Sequence, residues 1–228
     1  MSLFWRPFML LLKKDLLLLK RRSASVVSVI FFSLLIIIIF QIGIDLGEMS
    51  PIPFAAPFIW LGSLFGGMLR MSRTFESETR GHVLEGYRLT KGIVLPLYLS
   101  KLVLNVFFMV LLQFLMFVVV VALFNIQSPL FYLKMAWLPF VLGAMGFSAV
   151  GTTFSGMVLG DSSKDLLLPV IAYPILSPLL IGVIKSFEYA ASGDVLSLNP
   201  AWISLLIAFD LIYISVSILV FNILLESQ

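Results

Sequence analysis

The chain has 228 residues, 61% of them hydrophobic and only 12% charged, with a mean hydropathy of +1.11. A water-soluble fold of that make-up would expose apolar area over most of its surface, so lipid is the expected solvent. The absence of cysteine excludes disulfides, thiolate metal sites and cysteine catalysis, and no stretch is polar enough for a separate soluble domain.

Residues 1–22, MSLFWRPFMLLLKKDLLLLKRR, mix apolar clusters with Lys13, Lys14, Lys20, Arg21 and Arg22. The pattern fits an amphipathic helix in the headgroup layer, anchored by Trp5 and Phe8. It fits equally a basic flank that orients the next segment; both readings place the N-terminus in the cytoplasm. Six apolar runs follow, at about 23–44, 54–71, 97–124, 131–159, 166–186 and 203–225, each near the twenty or so residues that cross a hydrocarbon core. The first is expected to persist as a span and not as a cleaved signal, because Asp45 and Glu48 follow it without a small-residue cleavage pattern.

The second run carries Gly62, Gly66 and Gly67, and the fourth carries Pro139 with Gly143, Ala144, Gly146, Ser148, Gly151 and Gly156. Small residues at these positions predict close helix packing. The fifth contains Pro169, Pro174 and Pro178 and is expected to kink or split, its freed carbonyls satisfied by protein contacts. With six spans alternating across the bilayer, the basic residues sort strongly. Six precede the first span, six lie between Arg70 and Lys101, and Lys164 joins them, against Lys134 and Lys185 on the other side. The positive-inside rule then puts both termini in the cytoplasm.

Three polar features stand out. Residues 70–92, RMSRTFESETRGHVLEGYRLTKG, read as one or two short interfacial helices broken near Gly81 or Gly86, with Glu76, Glu78, Arg80, Glu85 and Arg88 toward water or a partner. A docking surface and a solvated linker with an i,i+4 pair such as Glu76 and Arg80 both fit. Residues 160–169, GDSSKDLLLP, read as a capped helical hairpin, or as a second cytoplasmic contact through Asp161, Lys164 and Asp165. Asp210 is the sole acid inside a predicted span, and such a charge must be paired, hydrated or near an interface. Asn105 and Gln113 are expected to bond across helices.

Other chemistries find no support. His82, the only histidine, lies in the 70–92 segment, so the outer side has no histidine for an axial haem bond. Met109 and Met116 sit in apolar runs as packing residues. No GxxxxGK[ST] phosphate cradle is present, so the chain cannot hydrolyse ATP alone, and its basic balance is explained by membrane orientation without nucleic acid. Neither a catalytic site nor a metal site is expected.

Several segments, in order, resemble the CcmB family of haem exporter membrane proteins: FWRPFMLLLKKDLLLLKR, FESETRGHVLEGYRLTKG with LYLSKLVLN, GFSAVGTTFSGM, KDLLLPVIAYPILSPLLIGVIKS and AFDLIY. The resemblance covers nearly the whole chain. It implies an all-α polytopic bacterial inner-membrane protein with six transmembrane helices in an ABC-2 exporter-like permease fold over residues 23–228, preceded by the interfacial helix. It also implies a homodimer joined to two cytoplasmic ABC ATPase subunits that carry ATP and Mg2+. A separate haem-handling membrane protein that holds the haem, a small single-span membrane protein, surrounding lipids and a periplasmic haem chaperone would complete the assembly. The 70–92 segment would then be the cytoplasmic coupling segment, with Phe75, Glu76, Glu78, Leu84, Glu85 and Arg88 docking the ATPase. Two other functions share the six-span pattern: an ABC-2 permease for a lipid, glycan or drug, and a proton-coupled carrier using Asp210.

Overall fold

A computed structural model describes residues 2–21, 23–44, 51–79, 86–87, 92–158, 164–191 and 200–227. All regular structure among them is helical. Helix α1 spans Ser2–Arg21, α2 Ser23–Gly43, α3 Ile52–Met71, α4 Glu76–Thr79, α5 Val94–Leu123, α6 Pro129–Met157, α7 Lys164–Ala191 and α8 Pro200–Ser227. Six of these helices, all but α1 and α4, are long and apolar enough to cross a membrane.

Helix α6 is the centre of the bundle, packing on α3, α5, α7 and α8. Its small residues make that position possible. A Cβ added at Gly143 would stand 2.4 Å from Trp60 Cζ2, and one at Gly151 would stand 2.7 Å from Met71 Cγ. The same reasoning applies to α3 against α2, where a Cβ at Gly66 would overlap the Ser33 hydroxyl. That hydroxyl donates to the Val29 carbonyl at 2.9 Å, so it needs no partner across the interface. With no hydrophobic gain from helix association inside lipid, close backbone approach and dense packing hold the helices together. Trp60, Met109, Met116 and Phe147 fill the resulting core and are all buried.

Helix α7 is not split at its prolines. It runs unbroken from Lys164 to Ala191 with Pro169, Pro174 and Pro178 inside it. Pro178 has no N–H for the Pro174 carbonyl one turn back. Ser177 Oγ donates to that carbonyl at 2.8 Å instead, so the orphaned acceptor is satisfied within the helix. The exposed face of α7, including Leu166, Val170 and Ile181, is apolar, as lipid contact requires.

The contacts also establish alternation. At one end Phe75 stacks on Phe221 of α8 at 5.5 Å, and α1 packs against the start of α5. At the other, Phe58 of α3 stacks on Phe124 just past α5 at 5.1 Å, and Phe140 of α6 meets Phe187 of α7 at 6.3 Å. Ends that the chain must bring together by crossing back and forth are therefore in contact. The charged hub described next lies at the first end.

Candidate functional site

Leu11 and Asp15 lie one turn apart on α1, and both are buried where it meets the bundle. Asp15 is 4% exposed, Lys101 on α5 3% and Glu78 on α4 0%. Lys101 Nζ sits 2.8 Å from Glu78 Oε1 and 3.0 Å from Asp15 Oδ2, and so joins three helices at one ammonium. Lys14 donates to the same Glu78 oxygen and lies 3.4 Å from Asp15 Oδ1. Ser77 Oγ donates to Glu78 Oε2 at 2.7 Å, so both carboxylate oxygens are engaged.

Two ammonium groups thus face two carboxylates, and the aromatic faces of Phe75 and Tyr87 lie 5.6 Å from Lys101 and 5.9 Å from Lys14. Partial burial works against the Lys14 charge, but the hydrogen bond with Glu78 and the charges of Glu78 and Asp15 outweigh it and raise its pKa. Opposite charges this enclosed cost much desolvation, which close geometry and extra hydrogen bonds offset. Removing one partner leaves the others buried without compensation.

One turn beyond Lys101, Asn105 continues the polar stripe of α5. Its Nδ2 donates to Thr152 Oγ1 on α6 at 2.9 Å and to Thr74 Oγ1 at 3.2 Å. Ser155 Oγ on α6 donates to the Met71 carbonyl at the end of α3 at 2.7 Å. The segment from Met71 to Glu78 is therefore fastened at successive points to α6, α5 and α1. Phe75 adds an apolar fastening between Tyr98 and Phe221 at 1% exposure.

These positions revise two expectations for the 70–92 segment. Glu78 does not face water or a partner and Phe75 does not offer an apolar docking contact; both lie inside the chain. Burial follows because Glu78 finds its cations far away in sequence, on α1 and α5, instead of one helical turn along. Glu76 is half-buried at the start of α4. Leu84, Glu85, Arg88, His82 and Asp161 lie outside the described residues, while Lys164 and Asp165 open α7 with side chains outside the described set. Asp15, Lys14, Lys101, Thr74 and Thr152 are site residues that sequence patterns alone did not single out. A signal was present: Asp15 is the sole acid of α1, and Lys101 stands a turn or more inside α5, where an unpaired charge is costly.

The intramembrane polar residues behave differently from one another. Asn105 bonds across helices as expected. Gln113 is buried, yet neither amide atom has a partner among the described residues. Asp210 is 4% exposed with both carboxylate oxygens unpartnered among the described residues, held against α6 where a Cβ at Gly146 would stand 2.6 Å from its Oδ1. Among the described residues, no group of three His, Cys, Asp or Glu side chains is placed to hold a metal ion.

A comparison with known families decides the identity. The CcmB protein family model matches residues 6–226. The chain belongs to the CcmB family. No curated protein matches it significantly. As a CcmB-family member it is a membrane component of a haem exporter in cytochrome c maturation, a multi-pass bacterial membrane protein that works with other subunits. The family match spans the hub residues from Lys14 to Lys101 as well as all six long helices.

Proposed function

We propose that this CcmB protein converts ATP-driven movement of cytoplasmic partner ATPases into release of the haem-loaded periplasmic chaperone. The observation that carries the reading is the burial of Glu78 between Lys101 and Lys14. A force applied to the segment following Thr79 would reach α5 and α1 through that carboxylate, and α6 through Thr74 and Asn105. Coupling of this kind needs a rigid connection between the driven segment and the spanning helices, which tightly packed bistable elements supply.

On this reading both termini are cytoplasmic, two copies pair with two ATPases, and haem is held by the neighbouring haem-handling membrane protein, with the small single-span protein alongside. Glu76 and the chain beyond it, including Leu84, Glu85 and Arg88, supply ATPase contacts, with Asp161, Lys164 and Asp165 as a second contact. Glu78 and Phe75 are positioning residues behind that surface. The test is affinity purification of the tagged protein in mild detergent, with partner mass spectrometry and a chaperone-release assay with and without ATP. Lys101→Met and substitutions at Glu85 and Arg88 should leave partner ATPases turning over ATP while release falls. Undiminished release would refute the coupling role, and recovery of an unrelated ATPase without a haem system would favour export of a lipid, glycan or drug.

The Asp210 carboxylate, unpartnered among the described residues, favours one other reading, a proton-coupled carrier, because an intramembrane acid is a functional site by default. That reading requires transport without an ATPase, abolished by Asp210→Asn. Normal ATP-dependent chaperone release in Asp210→Asn would dismiss it.

A further inference from the structure

The last turn of α3 and the segment after it place two more cations beside the hub. They line a cleft bounded by α1, the start of α2 and α5. Arg70 packs its guanidinium 5.5 Å from the Phe108 ring, and its buried Nε has no hydrogen-bond acceptor among the described residues. No ion pair joins Arg70 to a described residue. Arg73 donates to Ser25 Oγ at 2.7 Å, which places its guanidinium at the α2 wall of the cleft.

Among the described residues that line the cleft, Lys101, Arg70 and Arg73 carry three positive charges against two on Asp15 and Glu76. Asp15 and Glu78 are already engaged by the two lysines, and among the described residues no ion pair forms at Arg70 or Arg73. A largely enclosed guanidinium without an anion is costly, and its planar fork of donors suits a phosphate or carboxylate. The walls narrow the choice. Leu18, Leu19, Val26 and Leu104 make one side of the cleft apolar, while Thr74 and Ser77 add hydroxyls to the other.

We infer that Arg70 and Arg73 bind a phosphate group in this cleft, carried by a membrane phospholipid whose hydrocarbon portion lies against the apolar wall of Leu18, Leu19, Val26 and Leu104. The shared chemistry is a phosphate oxyanion received by two guanidinium forks. The apolar wall and the membrane-surface position of the amphipathic α1 favour an amphiphile over a free ion. This assignment is independent of how the protein responds to ATP.

The test uses the intact membrane complex extracted in mild detergent and exhaustively washed, with native mass spectrometry to count phospholipids retained per copy. Wild type should retain a phospholipid, and Arg70→Gln/Arg73→Gln should lower its occupancy by about tenfold or more, since charge-assisted bonds to phosphate are the strong ones. Lys13→Gln removes a positive charge from an exposed position on α1 and should leave retention unchanged. Should the double variant fail to assemble, Arg73→Gln alone, at an exposed site, should still lower retention measurably. In the second arm, the complex is reconstituted in nanodiscs of phosphatidylcholine with or without phosphatidylglycerol and challenged with inorganic phosphate. Persistence of the bound lipid supports the inference; displacement by inorganic phosphate assigns the site to a free ion and overturns the phospholipid source. Equal retention in the double variant overturns the site, and equal retention with loss of the ATPase would assign the arginines to a protein partner.

Discussion

The hub end of the bundle and its midsection are held together by opposite means. At the hub, helices α1, α4 and α5 meet through Lys101, Glu78, Asp15 and Lys14, and position is set by which charge finds which partner. In the midsection α6 is seated by absence of side chain, at Gly143 under Trp60 and at Gly151 under Met71. Shape alone fixes the second interface, so it tolerates no added atom. Chemistry fixes the first, so it tolerates no lost charge unless its partners are neutralised as well. Paired charges hold α1, α4 and α5 together at fixed points and interlocked shapes keep α6 from sliding, so a displacement at the hub is passed to α1 and α5 while the midsection stays packed.

The difference can be broken by substitution. Lys101→Met should have the largest effect, lowering stability by about 3–5 kcal/mol by leaving two buried carboxylates facing one lysine. Thermal unfolding of the detergent-solubilised protein reads this, and neutralising Asp15 and Glu78 in the same chain should restore more than half. Failure of that restoration would show that Lys101 acts by packing and erase the distinction. Gly143→Ala should come next, at about 1–3 kcal/mol, from overpacking against Trp60 and Val183. Here a shape remedy, Trp60→Phe, should recover stability and a charge change should not. Asn105→Ala should cost about 1–2 kcal/mol from its bonds to Thr74 and Thr152, with faster amide exchange confined to residues 72–79. Uniform exchange would mean that the segment is not held there. The smallest effect belongs to Ser177→Ala, under about 1 kcal/mol, read as a small fall in melting temperature, because only the Pro174 carbonyl loses its donor.

Much of the architecture was legible because lipid imposes a simple rule: a spanning segment must be helical and apolar for some twenty residues. All six long helices and the packing role of Gly66 and Gly143 follow from that rule. The unbroken course of α7 did not, since three prolines advertise a break, and at Pro178 the freed carbonyl is met by the hydroxyl of the preceding Ser177. The hub was hidden for another reason. Local pairing rules connect Glu78 to residues three or four positions away, but its partners lie 23 and 64 residues distant. Within its own segment Glu78 looks like any solvated acid, and only the odd placement of Lys101 and Asp15 in apolar company pointed to them. Phe75 was ambiguous in the same way, because an apolar residue in a charged loop fits a partner surface as well as the chain's own core.

The span of the Asp15 to Lys101 contact, 86 residues, has a consequence for biosynthesis. Helix α1 is made before α5, so Asp15 cannot meet the Lys101 ammonium until α5 has emerged and the two helices between them have been threaded into the bilayer. Until then its carboxylate must stay at the wet surface, and the amphipathic segment must wait beside the membrane instead of entering it. The amphipathic segment is thus fixed later than the two spanning helices that follow it in the chain, and its docking waits on the first half of the bundle.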